Sequence, residues 1–275
     1  MNRLEKHLRE VKLRDEKAAI FFITAGDPSL KETFNIMLHL AENGADCIEL
    51  GMPFSDPIAD GPVIQRSTLR ALKQNVRLED ILKLVQQFRK KSPAPVVVMG
   101  YYNPIIRYGV DRFIQDCVSS GIDGLIIADL PYEEGEDIEK ICKENNTSLI
   151  YLLAPDIDPK RTRAIVRASS GFIYCVAHYS TTGTHKQNDD KVLPQTIKSL
   201  QDMTDLSVAL GFGISSLEKA KELSRLADGI IIGSWLIQEL ESATDKAECA
   251  ANFVNNVKAA INNHRGKLFS VKREC

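Results

Sequence analysis

Three carboxylates fall close together in "CIELGMPFSDPIADGPVIQ", the stretch from Cys47 to Gln65. Glu49 sits inside an apolar run, and Asp56 and Asp60 lie on the loop that follows. Gly51, Pro53, Pro57, Gly61 and Pro62 punctuate that loop and restrict its conformations. A carboxyl withdrawn from water has a raised pKa, which suits a general acid or base. A second carboxylate in a more solvated setting can take the complementary role. The competing reading of Glu49 is a structural residue paired with a buried base. No strand-like run carries the Lys or Arg that such a pair needs. Taken alone, Asp60 in "PIADGP" reads as a turn residue, and Asp56, between Ser and Pro, as turn chemistry or a contact surface.

Other chemistries find less support. The absence of a strand lysine argues against a Schiff-base aldolase. His7, His39, His178, His185 and His264 show no HxH or HExxH spacing, so no metal site is expected. Cys47, Cys117, Cys142, Cys175, Cys249 and Cys275 are scattered without CxxC pairs and read as the reduced thiols of a cytoplasmic protein. A formal net charge of −2, with no basic cluster beyond short pairs and the tail, gives nucleic-acid binding little support. No run is long and apolar enough for a membrane span, and the charged N-terminus lacks the apolar core of a signal peptide.

The elements that position these residues follow from hydropathy. Eight short apolar runs recur: "AAIFFIT" from Ala18, "CIEL" from Cys47, "PVVVMG" from Pro95, "GLIIAD" from Gly124, "SLIYLL" from Ser148, "FIYCVA" from Phe172, "LSVALG" from Leu206 and "GIIIG" from Gly229. Such continuous runs mark strands covered on both faces. Between them lie helical patterns over 77–91, 110–120, 134–145, 158–169, 191–202 and 246–263. Two further helices carry capping boxes, Ser29 with Glu32 and Ser215 with Glu218. In the first of these, Phe34, Met37, Leu38 and Ala41 share a face and Gly44 ends the helix. Leu4, Leu8 and Val11 form one face of an opening amphipathic helix.

Strand and helix alternating eight times, with 44% hydrophobic residues in 275, predict a single (β/α)8 TIM barrel over residues 1–275 with an extra N-terminal helix. A doubly wound open sheet is the alternative. It is weakened because "AGDPS" after the first strand is no GxGxxG fingerprint. Barrel chemistry gathers at the C-terminal ends of the strands. Glu49 shares a strand face with Cys47, so an inward face places its carboxyl near the mouth, partly desolvated. "GFGISS" and "GIIIGSW" follow the seventh and eighth strands, where barrels often bind phosphate. Gly211 and Gly213 allow close backbone approach, and Gly233 and Ser234 open a helix whose N–H groups face an anion. Tyr101 and Tyr174 lie near the rim, as core packing or as the wall of a flat aromatic pocket.

At these residues the sequence resembles the tryptophan synthase alpha chain family over nearly its whole length. "FITAGDP", "IELGMPFSDPIADGPVIQ", "MGYYNPI", "GLIIADLP", "LLAPDID", "SGFIYCV", "GFGIS" and "IIGS" carry the resemblance. It implies retro-aldol cleavage of indole-3-glycerol phosphate to indole and glyceraldehyde 3-phosphate. Glu49 is then the acid/base, Asp60 the stabiliser of the cationic ring, and Tyr174 joins both the catalytic set and the indole pocket. Phe22, Tyr101, Ala128, Leu152 and Thr182 are expected at the substrate, and Gly183, Gly211, Phe212, Gly213, Gly233 and Ser234 at the phosphate. The resemblance implies an α2β2 complex with a beta chain that receives the indole. Pro53, Phe54, Asp56, Asn103 and Pro104 face that partner. No cofactor is expected in this chain; pyridoxal phosphate belongs to the beta chain. One stretch departs: the family reads close to "SRxGVTG" where this chain has "AHYSTTG" from Ala177 to Gly183. That departure keeps a second reading open, a barrel that mainly binds and activates the beta chain with weak activity alone.

Overall fold

The computed structural model describes residues 1–155, 157–176 and 189–262. In chain order these form α1 (Arg3–Leu13), β1 (Ala18–Thr24), α2 (Leu30–Glu42), β2 (Cys47–Gly51), α3 (Pro62–Lys73), α4 (Leu78–Arg89) and β3 (Val96–Gly100). Next come α5 (Tyr102–Tyr108), α6 (Val110–Ser120), β4 (Gly124–Ile127), α7 (Glu136–Glu144), β5 (Ser148–Ile150), β6 (Leu152–Leu153) and α8 (Pro159–Ala168). The chain ends through β7 (Phe172–Val176), α9 (Asp189–Met203), β8 (Ser207–Gly211), α10 (Leu217–Ser224), β9 (Gly229–Ile232), α11 (Ser234–Ser242) and α12 (Lys246–Asn262). A 3₁₀ turn, Tyr132–Glu134, precedes α7.

The strands lie in the order β5-β4-β3-β2-β1-β9-β8-β7-β6, and every pairing is parallel. The two ends of this sheet, β5 and β6, are one chain segment interrupted only by Tyr151, so the sheet closes on itself as a TIM barrel. The expected fifth strand is therefore two. Its side chains still alternate: Ile150 and Leu152 pack inward, while Leu149, Tyr151 and Leu153 join the outer core. The Tyr151 hydroxyl donates to Glu139 on α7 at 2.8 Å.

The strands divide the core into two layers. Outward residues such as Phe21, Ile48 and Val98 pack against the helices. Inward residues such as Ile20, Cys47, Val97 and Phe172 fill the barrel, and Leu4, Leu8 and Val11 of α1 close it from below. Three aspartates secure that floor. Asp46, Asp123 and Asp228 each precede a strand and accept the N–H of a residue at the start of the neighbouring strand (Ala19, Val96, Val208) at 2.8–2.9 Å. Each also pairs with α1, through His7, Arg3 and Lys12 respectively. Arg89 adds a 2.7 Å ion pair to Asp123. Burial pushes the Asp46 carboxyl up, but His7 and Lys258 outweigh it and hold the group below its ordinary range. The N-terminal face is thus fastened by charge and hydrogen bonds, and the opposite face is left to loops, the division usual for barrels.

Four local expectations need correction. The second capping residue is Ser216, not Ser215: its hydroxyl accepts from Lys219 N, and α10 starts one residue later than expected. In α2 the buried face centres on Thr33, Ile36, Met37 and Leu40, with Phe34, Leu38 and Ala41 on its flanks. Its cap is half of the expected box: Ser29 accepts from Glu32 N, while the Glu32 side chain accepts from Asn35 at 3.4 Å. Residues 62–73 and 102–108, where no helix is expected from the pattern, form α3 and α5. Pro62 occupies the first position of α3, where a missing N–H costs nothing.

Candidate active site

Glu49 is the third residue of β2, flanked in register by Phe22 of β1 and Val97 of β3. Strand alternation turns it to the inward face with Cys47. The carboxyl is 1% exposed, more deeply buried than the partial desolvation expected of a residue near the mouth. Its Oε2 is one of two buried side-chain oxygens without a hydrogen-bond partner among the described residues. No cation within those residues pairs with it. Burial first, and the charge of Asp60 second, push its pKa up to about 8. At neutral pH Glu49 therefore holds a proton in an apolar setting.

Asp60 lies near the end of the loop after β2 and is only partly buried. Burial raises its pKa to about 6, against a hydrogen bond from the Tyr101 hydroxyl that lowers it. Its backbone is set by turn bonds, Asp60 N–H to Pro57 O at 3.0 Å and Gln65 Nε2 to Asp60 O at 2.9 Å. The pair is thus arranged as neighbouring carboxyls with separated pKa values, one mostly protonated and the other mostly ionised near pH 7. Such an arrangement divides acid and base work.

Of the expected pocket residues, Phe22 is the register neighbour of Glu49. Phe22, Ala128 and Leu152 pack on the inner core at its upper edge, and Tyr101 and Tyr174 are buried. A Cβ at Gly51 would lie 2.5 Å from the tip of the Phe22 ring, so the ring has its place because position 51 is glycine. Tyr174 lies between Phe172 and Phe212, with ring centres 6.1 and 6.0 Å away. Burial and the nearby Glu49 push its hydroxyl well above the ordinary range, so it remains a neutral phenol.

The two glycines of "GFG" differ. A Cβ at Gly211 would collide with the Tyr174 ring, so that space belongs to the tyrosine. Gly213, with φ +77°, has open space above it and leaves its backbone accessible. Phe212 between them also has a positive φ, +68°, a conformation costly for an aromatic residue and common at ligand-binding loops. Gly233 caps α11 without a side-chain hydrogen bond, and Ser234 begins that helix exposed. Thr182 and Gly183, with the atypical 177–181 stretch, lie outside the described residues.

On the outer side of the same rim, Pro53 and Phe54 are half-buried and Asp56 and Asn103 are exposed, with Pro104 half-buried beside them. Ile58, which the sequence motifs do not single out, is 84% exposed on this loop, and Ile106 is 53% exposed on α5. A signal for Ile58 is present in the sequence: a β-branched apolar residue in a loop otherwise made of proline, small and acidic residues. Among the described residues, no three His, Cys, Asp or Glu side chains are grouped to hold a metal ion, and no helix is long and apolar enough to cross a membrane.

Residues 8–265 match the profile of the family described as Tryptophan synthase alpha chain. The chain is 41% identical over 264 residues to the tryptophan synthase alpha chain of Thermoanaerobacter sp. (strain X514), an alignment covering 95% of this chain and 100% of that one. It is also 41% identical over 264 residues to that of Clostridium kluyveri, with the same coverage. The crystal structure of the alpha chain from Legionella pneumophila superposes with a TM-score of 0.87 at 35% identity, over 97% of this chain and 99% of that one. A chain in the aminoacrylate-bound form of tryptophan synthase from M. tuberculosis superposes with a TM-score of 0.84 at 31% identity, over 95% and 100% of the two chains. With that profile spanning most of its length and these relatives matched nearly end to end, the chain belongs to the tryptophan synthase alpha chain family.

Proposed function

We propose that Glu49 and Asp60 carry the reaction of this family in this chain, cleavage of indole-3-glycerol phosphate to indole and glyceraldehyde 3-phosphate. The chain is a lyase of the aldol type, the alpha subunit of tryptophan synthase. The observation that carries the residue assignment is the buried carboxyl of Glu49, with an oxygen that has no hydrogen-bond partner among the described residues; its burial and the nearby Asp60 raise its pKa to about 8, against about 6 for Asp60.

Protonated Glu49 gives its proton to the indole carbon that bears the side chain. The ring becomes a cation centred on its nitrogen. Asp60, ionised, accepts the ring N–H and stabilises the developing charge more than it stabilises the neutral substrate. The Glu49 carboxylate then takes the proton of the glycerol hydroxyl. The carbon–carbon bond breaks, its electrons return to the ring, and the aldehyde leaves. The proton given to the ring carbon leaves with the indole, and the hydroxyl proton replaces it on Glu49, so Glu49 ends as it began.

Phe22, Tyr101, Ala128, Leu152 and Tyr174 supply flat and apolar walls for the indole. The backbone of Gly213 and the start of α11 offer N–H groups to the phosphate, with Gly183 from beyond the described residues. No step calls on a cofactor in this chain, and pyridoxal phosphate is assigned to the beta chain. The chain works with a beta chain, in an α2β2 assembly in the cytoplasm, and offers it the face formed by Pro53, Phe54, Asp56, Asn103 and Pro104. The exposed Ile58 and Ile106 extend that face with apolar surface.

Adding purified beta chain is expected to raise the cleavage rate by about tenfold or more, the scale of a coupling free energy of about 1–3 kcal/mol. The elution volume in gel filtration should fall at the same time. A rate and an elution volume that both stay unchanged contradict the assembly.

A further inference from the structure

We infer that Tyr101 is a positioning residue, tying Phe54 at the partner-facing start of the loop after β2 to Ala59, and so to Asp60 beside it, near the loop's end. This rests on the reading of Asp60 given above.

Tyr101 directly follows β3 and is 4% exposed, so its own position is set by the barrel. The next residue begins α5, and its N–H donates to Asp129 at 2.7 Å. From this anchor the side chain crosses to the neighbouring loop and meets it twice. Its ring packs on Phe54 with centres 5.3 Å apart. Its oxygen accepts the N–H of Ala59 at 3.0 Å. A phenol has one proton to give, and with Ala59 donating into the oxygen that proton remains available to the Asp60 carboxylate, which acts on this hydroxyl. One side chain therefore touches both Phe54, on the face offered to the beta chain, and Ala59, the residue before Asp60.

The consequence is chemical as well as geometric. A donated hydrogen bond favours the ionised carboxylate over the acid and fixes which oxygen remains for the ring N–H. Among the described residues, the other ionisable groups that act on this pair are Glu49 on β2, coupled to Asp60, and Asp129 after β4, coupled to Tyr101. Both are acidic, and neither favours a charge on Asp60. A partner that seats Phe54 against the Tyr101 ring steadies the contact that also holds Ala59, so the same side chain gives the beta chain a short route to Asp60.

Tyr101→Phe keeps the ring and its contact with Phe54 but loses the Ala59 hydrogen bond and the proton available to Asp60. The rate kcat is expected to fall roughly tenfold, with KM changing much less, and the acid limb of the kcat/KM profile to move up by about one pH unit. Site-specific 3-fluorotyrosine at position 101 leaves the shape nearly unchanged and makes the phenol a stronger donor, so it should move that limb down. Tyr101→Leu removes the ring as well and should also reduce stimulation by the beta chain. Melting temperatures establish that the variants are folded. A Tyr101→Phe enzyme with a normal rate and an unmoved limb overturns the inference. So does a slower enzyme whose limb stays in place, because that marks packing alone. Asp60→Asn, assayed alongside, separates the two claims. If Asp60→Asn is inactive while Tyr101→Phe behaves as wild type, only the role of Tyr101 fails. If Asp60→Asn keeps full activity, the reading of Asp60 fails, and this inference with it.

Discussion

Glu49→Gln is expected to lower indole formation by about 10²- to 10⁴-fold, the range lost with a positioned acid/base, and to leave the protein folded. The amide nearly matches the carboxyl in shape, and the protonated carboxyl it replaces is already uncharged near neutral pH. The substitution therefore removes a transferable proton without opening a cavity or stranding a charge. No cation within the described residues depends on Glu49, so none loses a partner.

The same variant has a signature in stability. Unfolded, Glu49 titrates near 4.5; folded, near 8. Between those values the folded chain retains a proton that the unfolded chain has released. Stability then falls as pH rises from about 4.5 to about 8 and is level outside that window. The full effect is on the order of 5 kcal/mol, from about 1.4 kcal/mol for each pH unit separating the folded and unfolded titrations. Glu49→Gln lacks this dependence, so its stability relative to wild type should rise steadily across the window. Urea unfolding at a series of pH values measures this, and a difference that does not change with pH contradicts the raised pKa. The destabilisation falls at the site of function, a common pattern where a buried acid is kept for chemistry.

Asp60→Asn is the second large effect. Loss of the charge that meets the cationic ring should slow turnover by about 10²- to 10³-fold, the scale for a removed electrostatic stabiliser, with much less change in substrate affinity. An amide oxygen still accepts the ring N–H, so binding survives while transition-state stabilisation does not. A second readout follows from the coupling of the two acids. The Asp60 charge is one of the causes that raise the Glu49 pKa, so in the variant Glu49 should titrate at lower pH, though still above 4.5 because burial is the larger cause. Carbon NMR of labelled glutamate follows that titration. A turnover within a few-fold of wild type, or a Glu49 titration that stays at about 8, contradicts the proposed pairing.

Much of this site is legible in the sequence because it depends on local rules. Alternation along "CIEL" puts Glu49 with Cys47, and the barrel arithmetic puts both inside. The depth of its burial is not legible. It depends on closure of the sheet at Tyr151 and on the α1 residues that plug the far end, which are remote in sequence. Prolines disguise residues 62–73, since a proline that stiffens a loop and one that starts a helix look alike without the preceding backbone. Gly211 and Gly213 are equivalent in the sequence; only the Tyr174 ring, from a different strand, separates a packing glycine from an open one. The Tyr101 bond to Ala59 spans 42 residues and joins two loops, so no periodicity could reveal it. Likewise, which of Ser215 and Ser216 caps α10 is decided by a one-residue difference that the capping-box pattern does not resolve.

The most direct test follows both products from indole-3-glycerol phosphate, with beta chain present, for the wild-type protein and for Glu49→Gln at equal substrate occupancy. Indole and glyceraldehyde 3-phosphate should appear in equal amounts with the wild type. With the variant the substrate should remain bound and uncleaved. Normal release of indole by Glu49→Gln, or release of indole without an equal amount of the aldehyde, contradicts the account.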